Sequence, residues 1–342
     1  MAPLEEFGRI REWTAGRHSD TSLAAAGVKL GIGDDTAVVS GTSGLEWLLA
    51  VDTMVEGVHF RPETMEPEDI GYKALAANIS DIAAMGGIPK HALVAISIPP
   101  QWDTSLLKRI FDGLYECAER YGVIVVGGDT TSAPESLVIS VTIVGQVEAG
   151  KAIYRNGARP GHFIFLTGPT GLSAGGLHGM LQSEEHRRLV ISPPPKRLIS
   201  AHRRPNPSVK AGRLLITNGW GASLNDVSDG VSSEAWEIAE ASDVKLVLHE
   251  ASLPLAGELV GYAGQCNIPP LDWVLYGGED YVLIGTAERK YEASMRETFR
   301  AEGIPLFIIG EVEAGSPGVD LEYGSGKRKP LEKRGYNHFP KG

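Results

Sequence analysis

Cysteine is scarce in this sequence. Cys117 and Cys266 are the only two in 342 residues, and they form no CxxC pair. That leaves no thiolate metal or redox motif and suits a reducing compartment. Long apolar runs are missing too. No stretch approaches the roughly 18 residues that a membrane span needs, and the acidic start, MAPLEE, does not read as a signal peptide. The expected location is cytoplasmic. Positive charge is in deficit: 32 Lys and Arg against 43 Asp and Glu give a net charge of -11. Such a balance argues against a broad nucleic-acid surface, and a polyanionic ligand would have to bring cations with it. No Walker A sequence is present, because Gly326-Lys327 is followed by Arg328 and lacks the earlier glycine. The protein-kinase motifs and the GxSxG elbow are absent, as is any His/Cys set suited to zinc.

Glycine, in contrast, is plentiful. The 42 glycines cluster in short runs beside aspartates, a pattern that suggests phosphate-handling loops. Length allows two domains of ordinary size, and a hydrophobic content of 42% allows a sizeable core. In the first half, periodicity predicts strands at 45–51, 93–98, 123–126 and 137–147, and helices at 68–85 and 104–121. The second half predicts strands at 163–166, 223–227, 244–248, 281–285 and 306–309, and helices at 231–241 and 291–301. Residues 167–179 form a Gly-rich stretch, and the proline-rich, basic 192–207 read as an exposed connection. The domain boundary is expected near residue 150, giving domains 1–150 and 151–342.

Five segments share one design, in which a strand or helix ends in small residues and aspartate. In Gly31-Ile32-Gly33-Asp34-Asp35-Thr36 the glycines let backbone N–H groups approach an anion, and the paired carboxylates favour a cation; a solvated Asp-Asp turn is the alternative. Asp52 is expected at the end of an apolar strand, a common place for a metal ligand, with His59 close behind; taken alone, His59 is also an ordinary packed histidine. The helix over 71–85 puts Lys73, Ala77 and Asp81 on one stripe with Asn78 beside it. Asp81 falls in its last turns, where the helix dipole disfavours a carboxylate unless a cation is near. Gly127-Gly128-Asp129-Thr130-Thr131 follows a strand expected to be short and buried, a platform for magnesium and phosphate or an ordinary turn. In Asp226-Val227-Ser228-Asp229-Gly230, alternation puts Asp226 and Ser228 on one side, and Asp229 opens a helix as an anion-site residue or a plain cap. Dispersed aspartates of this kind fit magnesium, which takes oxygen ligands and bridges carboxylates to phosphates.

These segments resemble the thiamine-monophosphate kinase family, within the superfamily of aminoimidazole ribonucleotide synthetase, selenophosphate synthetase and the hydrogenase maturation dehydratase. The matching stretches are GIGDDTAVV (31–39), VDTMVEGVHF (51–60), YKALAANISDIAAMGGIP (72–89), GGDTT (127–131), RNGARPGH (155–162), DVSDG (226–230), YGGEDY (276–281) and GYNHF (335–339), in family order over nearly the whole chain. The resemblance implies an α+β fold of two domains. The amino-terminal one would bind ATP and magnesium and build a β-barrel shared across a homodimer; the carboxy-terminal α/β one would complete the site. It implies ATP-dependent phosphorylation of thiamine monophosphate to thiamine pyrophosphate. By matching position, Asp35, Asp52, Asp81, Asp129, Asp226 and Asp229 would hold Mg2+, with Asp34 a weaker candidate. Gly128, Asp129, Arg155 and Ser228 would contact ATP, and His59, Glu279 and Tyr336 the thiamine monophosphate.

The departures from the family pattern are local. Ala50 and Val51 stand where the family has hydroxyl residues before Asp52, Glu234 and Glu237 where it often has aspartate and histidine, and Tyr336 is the late aromatic. The acceptor phosphate has a second pKa of about 6 and is already largely anionic at neutral pH. Direct in-line transfer, with neither a general base nor a phosphoenzyme, is therefore expected. Two other readings are an ATP-dependent cyclase or dehydratase on the same scaffold, and a nucleotide-binding regulator without turnover.

Overall fold

The computed structural model describes residues 14, 16, 19–42, 44–182 and 193–336. The expected N-terminal stretch MAPLEE and residues 337–339 of the GYNHF match lie outside the described residues. In chain order the first half runs α1 (Asp20–Ala25), β1 (Val28–Leu30), β2 (Ala37–Ser40), β3 (Leu45–Val55), α2 (Pro67–Ala84), β4 (Ile88–Ile98), α3 (Thr104–Tyr121), β5 (Ile124–Ser132) and β6 (Val138–Glu148). Its strands form a six-stranded sheet in the order β1-β2-β3-β6-β4-β5. Among the described residues only its β4–β5 pair is parallel.

The second half continues with β7 (His162–Leu166), α4 (Leu172–Leu181), α5 (Lys196–Arg203), α6 (Val209–Asn218), β8 (Ser223–Asp226), α7 (Val231–Ser242), β9 (Lys245–His249), α8 (Gly257–Cys266) and α9 (Pro270–Tyr276). It ends with β10 (Leu283–Glu288), α10 (Glu292–Ala301), β11 (Phe307–Glu313), β12 (Gly318–Glu322) and β13 (Arg328–Pro330). A seven-stranded sheet in the order β13-β12-β9-β11-β7-β10-β8 results.

Local chemistry sets these elements. Helix α3 starts where the Asp103 carboxylate accepts the Ser105 and Leu106 N–H groups, and ends where Gly122 takes φ 67°. Pro67 opens α2, where its missing N–H costs nothing. Strand β6 alternates buried and half-buried residues along its length, as a sheet covered on one face requires. Helix α2 is the central element. Nearly every side chain on it is buried, because it lies between the first sheet, α3, α6 and β8. The two halves also share a core. On β7, Phe163 and Phe165 pack into the cluster that holds α2 and the first sheet, while Ile164 and Leu166 pack into a second cluster under α7.

Several sequence expectations need correction. The 123–126 strand does not end at the Gly-Gly-Asp run and is not buried. β5 continues through Gly127, Gly128 and Asp129 to Ser132, and its residues are mostly exposed, because it is an edge strand paired only to β4 among the described residues. A shift in the pairing between Ala92 and Leu93 lets Val126 be skipped. Asp52 sits inside β3, opposite Val141, rather than at a strand end. The Gly-rich 167–179 stretch contributes most of helix α4. The connection expected over 192–207 contains helix α5, which buries Leu198 and His202 against the rest of the domain. Proline and basic residues mark its flanks and outer face, which is why composition alone reads it as loop. Among the described residues, the first sheet has two open edges, β1 and β5, and does not close into a barrel within one chain.

Helices α2 and α3 touch backbone to backbone. A Cβ added at Gly71 would run into the Ile110 carbonyl oxygen, and one at Gly113 into the Glu68 carbonyl oxygen. Neither obstacle is a flexible side chain, so the helices themselves would have to separate. Gly113→Ala is expected to destabilise the fold by about 1–3 kcal/mol. Urea denaturation monitored by circular dichroism checks this; an unchanged midpoint would show that the helices can part freely.

Candidate active site

Three carboxylates meet where the two halves join. Asp35 comes from the turn between β1 and β2, Asp81 from the last turn of α2, and Asp226 from the end of β8. Their oxygens all lie within 4.8 Å of one another. Asp226 is buried, and the other two are partly so. Burial, followed by mutual repulsion with Asp52, Asp226 and Asp35, pushes Asp81 well above the usual carboxylate range. Burial and then Asp35 do the same to Asp226, although Ser80 Oγ donates to its Oδ2 at 2.5 Å. Asp35 Oδ2 is buried with no hydrogen-bond partner among the described residues. A buried carboxylate oxygen without a donor, facing two more carboxylates, is an environment short of a cation.

Among the described residues, the cation paired with this group is Arg155, in the turn after β6. Its guanidinium pairs with Asp35 and reaches Glu237 at 3.0 Å and Asp34 at 3.7 Å. Asp34 has a structural task of its own. One oxygen accepts the Asp35 N–H at 3.0 Å and the other the Arg155 N–H at 3.1 Å, which fixes the Asp-Asp turn. Burial and the adjacent Asp35 push Asp34 up to about 6.

The remaining sequence-predicted residues divide into two groups. Asp52 lies close enough for its charge to act on Asp81 and Asp226, and Asn78 Oδ1 accepts its N–H at 2.9 Å, tying β3 to α2. Asp229 donates its N–H to Glu234 at 3.0 Å and accepts the Tyr336 N–H at 3.3 Å through its carbonyl. Ser228 faces the same Glu234 at 3.5 Å. Asp129 and Gly128 sit on the exposed edge strand β5, and Asp129 is not among the three clustered carboxylates. His59 takes the Val55 N–H on Nδ1 at 3.0 Å, which leaves its other ring nitrogen to carry the proton. Tyr336 is half exposed.

The loop over 277–281 reaches the site from the second sheet. Backbone bonds pin it to the DVSDG segment: the Glu279 N–H to the Ser228 carbonyl at 2.6 Å and the Tyr281 N–H to that of Val227 at 2.9 Å. The contact is so close that a Cβ at Gly278 would meet the Ser228 carbonyl oxygen. Glu279 and Tyr281 both adopt positive φ, at 64° and 52°, a conformation that side-chain-bearing residues hold only when their surroundings impose it. Next to Glu279, both oxygens of Asp280 accept backbone N–H groups at the start of α4, Gly171 at 2.5 Å and Ser173 at 3.1 Å.

Sequence reasoning noted Glu234, Glu237, Asp280 and Tyr281 without giving them a part in the site, and missed Asn225 and Ser80. Glu234 and Glu237 are buried, and Asn225 Nδ2 donates to both. The available signal was their spacing: three apart on a helix that opens beside Asp229, they share the face turned to Arg155.

Residues 33–147 match the family described as AIR synthase related protein, N-terminal domain, and residues 159–321 match the corresponding C-terminal domain. The thiamine-monophosphate kinase of Bacillus subtilis is 41% identical over 336 residues, covering 98% of this chain and 100% of that protein. That of Escherichia coli K12 is 34% identical over 314 residues, covering 91% and 92%. A solved structure of AaThiL complexed with AMPPCP and TMP superposes with a TM-score of 0.81 at 33% identity, covering 98% of this chain and 97% of the other. The hydrogenase maturation protein HypE in complex with ATP shares the fold, with a TM-score of 0.68 at 20% identity over 94% and 96% of the two chains.

Asp280 caps α4 with two hydrogen bonds in a buried setting. Asp280→Ala leaves two N–H groups unsatisfied and is expected to destabilise the protein by about 1–3 kcal/mol. Asp280→Asn, which can accept through one oxygen only, should fall between. Denaturation midpoints of the three proteins check the ranking.

Proposed function

The chain belongs to the thiamine-monophosphate kinase family of AIR synthase related proteins, and on that premise we propose that it uses ATP to phosphorylate thiamine monophosphate, giving thiamine pyrophosphate and ADP. The observation that carries the assignment to this site is the Asp35–Asp81–Asp226 group with its orphaned carboxylate oxygen, set at the junction of the two sheets. The donor set is all oxygen, which suits a hard divalent cation. Asp35, Asp81 and Asp226 would hold Mg2+, joined by Asp52, Asp129 and Asp229 once ATP is present. Magnesium bound there supplies neutralisation of the phosphate charges and alignment for in-line transfer.

The chain's own residues bind and orient. Gly128, Asp129, Arg155 and Ser228 contact ATP; Arg155 offers a planar fork suited to phosphate oxygens. His59, Glu279 and Tyr336 take the thiamine monophosphate, with the tyrosine ring offered to the cationic thiazolium. The acceptor oxygen is already anionic at neutral pH, with a pKa of about 6, so no residue needs to remove a proton. Residues 1–150 form the ATP and dimerisation domain, and residues 151–342 complete the site.

A homodimer fits the surface of the first sheet. Val51 (60% exposed), Leu93 (44%), Ile124 (62%) and Val126 (57%) lie on its outer face and free edge. Apolar side chains grouped on an open sheet edge call for a cover, and a second copy joining its own sheet would close the shared barrel. No helix among the described residues is long and apolar enough to cross a membrane; a cytoplasmic location accords with two free cysteines.

Chromatography of a mixture of protein, ATP, thiamine monophosphate and magnesium is expected to show thiamine pyrophosphate, and none with chelator added. Folded, ATP-binding protein that makes no product would refute the assignment. Asp226→Asn should lower kcat by about 100-fold or more and raise the magnesium needed for half-maximal rate. Val126→Lys places a charge on the free edge and should shift the protein from dimer to monomer in light scattering; a wild-type monomer would end the dimer reading.

A further inference from the structure

We propose that Lys73 is a positioning residue: it stands behind the Glu279 carboxylate and fixes it for the nitrogen heterocycle of the acceptor. This rests on the acceptor reading given above and extends it to a residue with no assigned part. Lys73 lies in the second turn of α2 with its side chain 1% exposed, and its Nζ is 2.5 Å from Glu279 Oε1. Lysine is rarely buried so completely unless paired. Its ammonium has no other hydrogen-bond partner among the described residues, so the Glu279 charge is its compensation. Glu279 keeps 27% of its side chain exposed. The geometry is that of a presented carboxylate with a counter-ion sealed behind it.

His202 completes the hold. Its Nδ1 lies 3.3 Å from Glu279 Oε2 and 3.1 Å from Ser173 Oγ. A Ser–His–Glu row suggests a hydrolytic relay, but both contacts fall on the same ring nitrogen, and Nε2 is buried without a partner among the described residues. No proton can pass through the ring from serine to glutamate, so this is no nucleophile. Burial and then Lys73 push His202 down to about 3, so an uncharged ring stands against the carboxylate, with Nδ1 also shared with Ser173 Oγ. Glu279 is thus gripped by α2 on one oxygen and α5 on the other, while its backbone is held at φ 64° by Ser228.

The ion pair also sets the charge presented. Burial alone would raise the Glu279 carboxyl, but the Lys73 charge beside it outweighs that and holds it below the usual range. Asp280 and Tyr281 on the same loop are the other titratable groups that feel this charge. An ionised carboxylate in a partly dry setting selects a cationic ring or an exocyclic amino group over a neutral isostere.

The test uses Lys73→Met, Glu279→Gln and the double variant. In Lys73→Met, KM for thiamine monophosphate is expected to rise about tenfold or more at pH 7 with KM for ATP nearly unchanged. It should then fall again as pH rises from about 6 to 9, because a carboxyl without its counter-ion ionises only at higher pH. Wild type and Glu279→Gln should show only the shallow change at about pH 6 that titration of the acceptor phosphate itself brings, and Lys73→Arg should restore part of the affinity. Thermal melting of the four-protein cycle should be non-additive, the double variant losing less than the sum of the single losses. A pH-independent KM in Lys73→Met, or additive melting losses, would overturn the proposal and leave Lys73 as a core residue. Absence of thiamine pyrophosphate from wild type would instead overturn the acceptor reading and the recognition role with it, while the melting cycle still reports the ion pair.

Discussion

Buried negative charge at the junction of the two sheets is the constraint on which the rest of this structure depends. Asp35, Asp81 and Asp226 bring their oxygens within 4.8 Å of one another, and Glu234 and Glu237 lie buried beside them. Carboxylates so placed cannot all ionise without cations. Arg155 provides one fixed charge, anchored by the Asp34 turn and by Glu237, and Asp35 is left with an oxygen that no described residue satisfies. The architecture around it is supporting work. Ser80 holds Asp226, Asn78 holds the β3 backbone at Asp52, and the 277–281 loop is stitched to the DVSDG segment. A second pairing, Lys73 with Glu279, repeats the logic a few residues away with an internal cation.

Local signals made much of this legible. The 104–121 helix reads with the same limits in sequence and structure because Asp103 and Gly122 are strong stop signs at its ends. The 68–85 helix differs by one residue at each end. The aspartates at 35, 81 and 226 stood out because each follows or precedes small residues at an element's end. What stayed hidden depends on tertiary context. Ile124 and Val126 look like core residues, yet they lie on an open edge, and an apolar run cannot reveal which side of it lacks a neighbour. Residues 196–203 look like a loop by composition, but two buried side chains, Leu198 and His202, dock them as a helix. Glu234 and Glu237 resemble solvated helix residues until Arg155, some eighty positions earlier, is folded against them.

Strain and burial coincide at one place. Glu279 takes a left-handed backbone conformation and a buried counter-ion at once, and Asp280 beside it caps α4. The loop thereby connects α2, α4, α5 and the DVSDG segment through polar contacts. Rigid placement of a partly exposed carboxylate depends on such a frame, because each bond limits a different degree of freedom.

The alternation along β7 has a consequence for how the chain can be divided. Phe163 and Phe165 belong to the same core as the first sheet, and Ile164 and Leu166 to the other. A single five-residue strand is therefore the wall of two rooms. Cutting the chain near residue 150 would leave α2 facing water on the side where those phenylalanines and α6 now sit. Exchanging halves between relatives would succeed only if the incoming half carried a matching aromatic face. The two halves stand on one shared core, even though the outline falls into two domains.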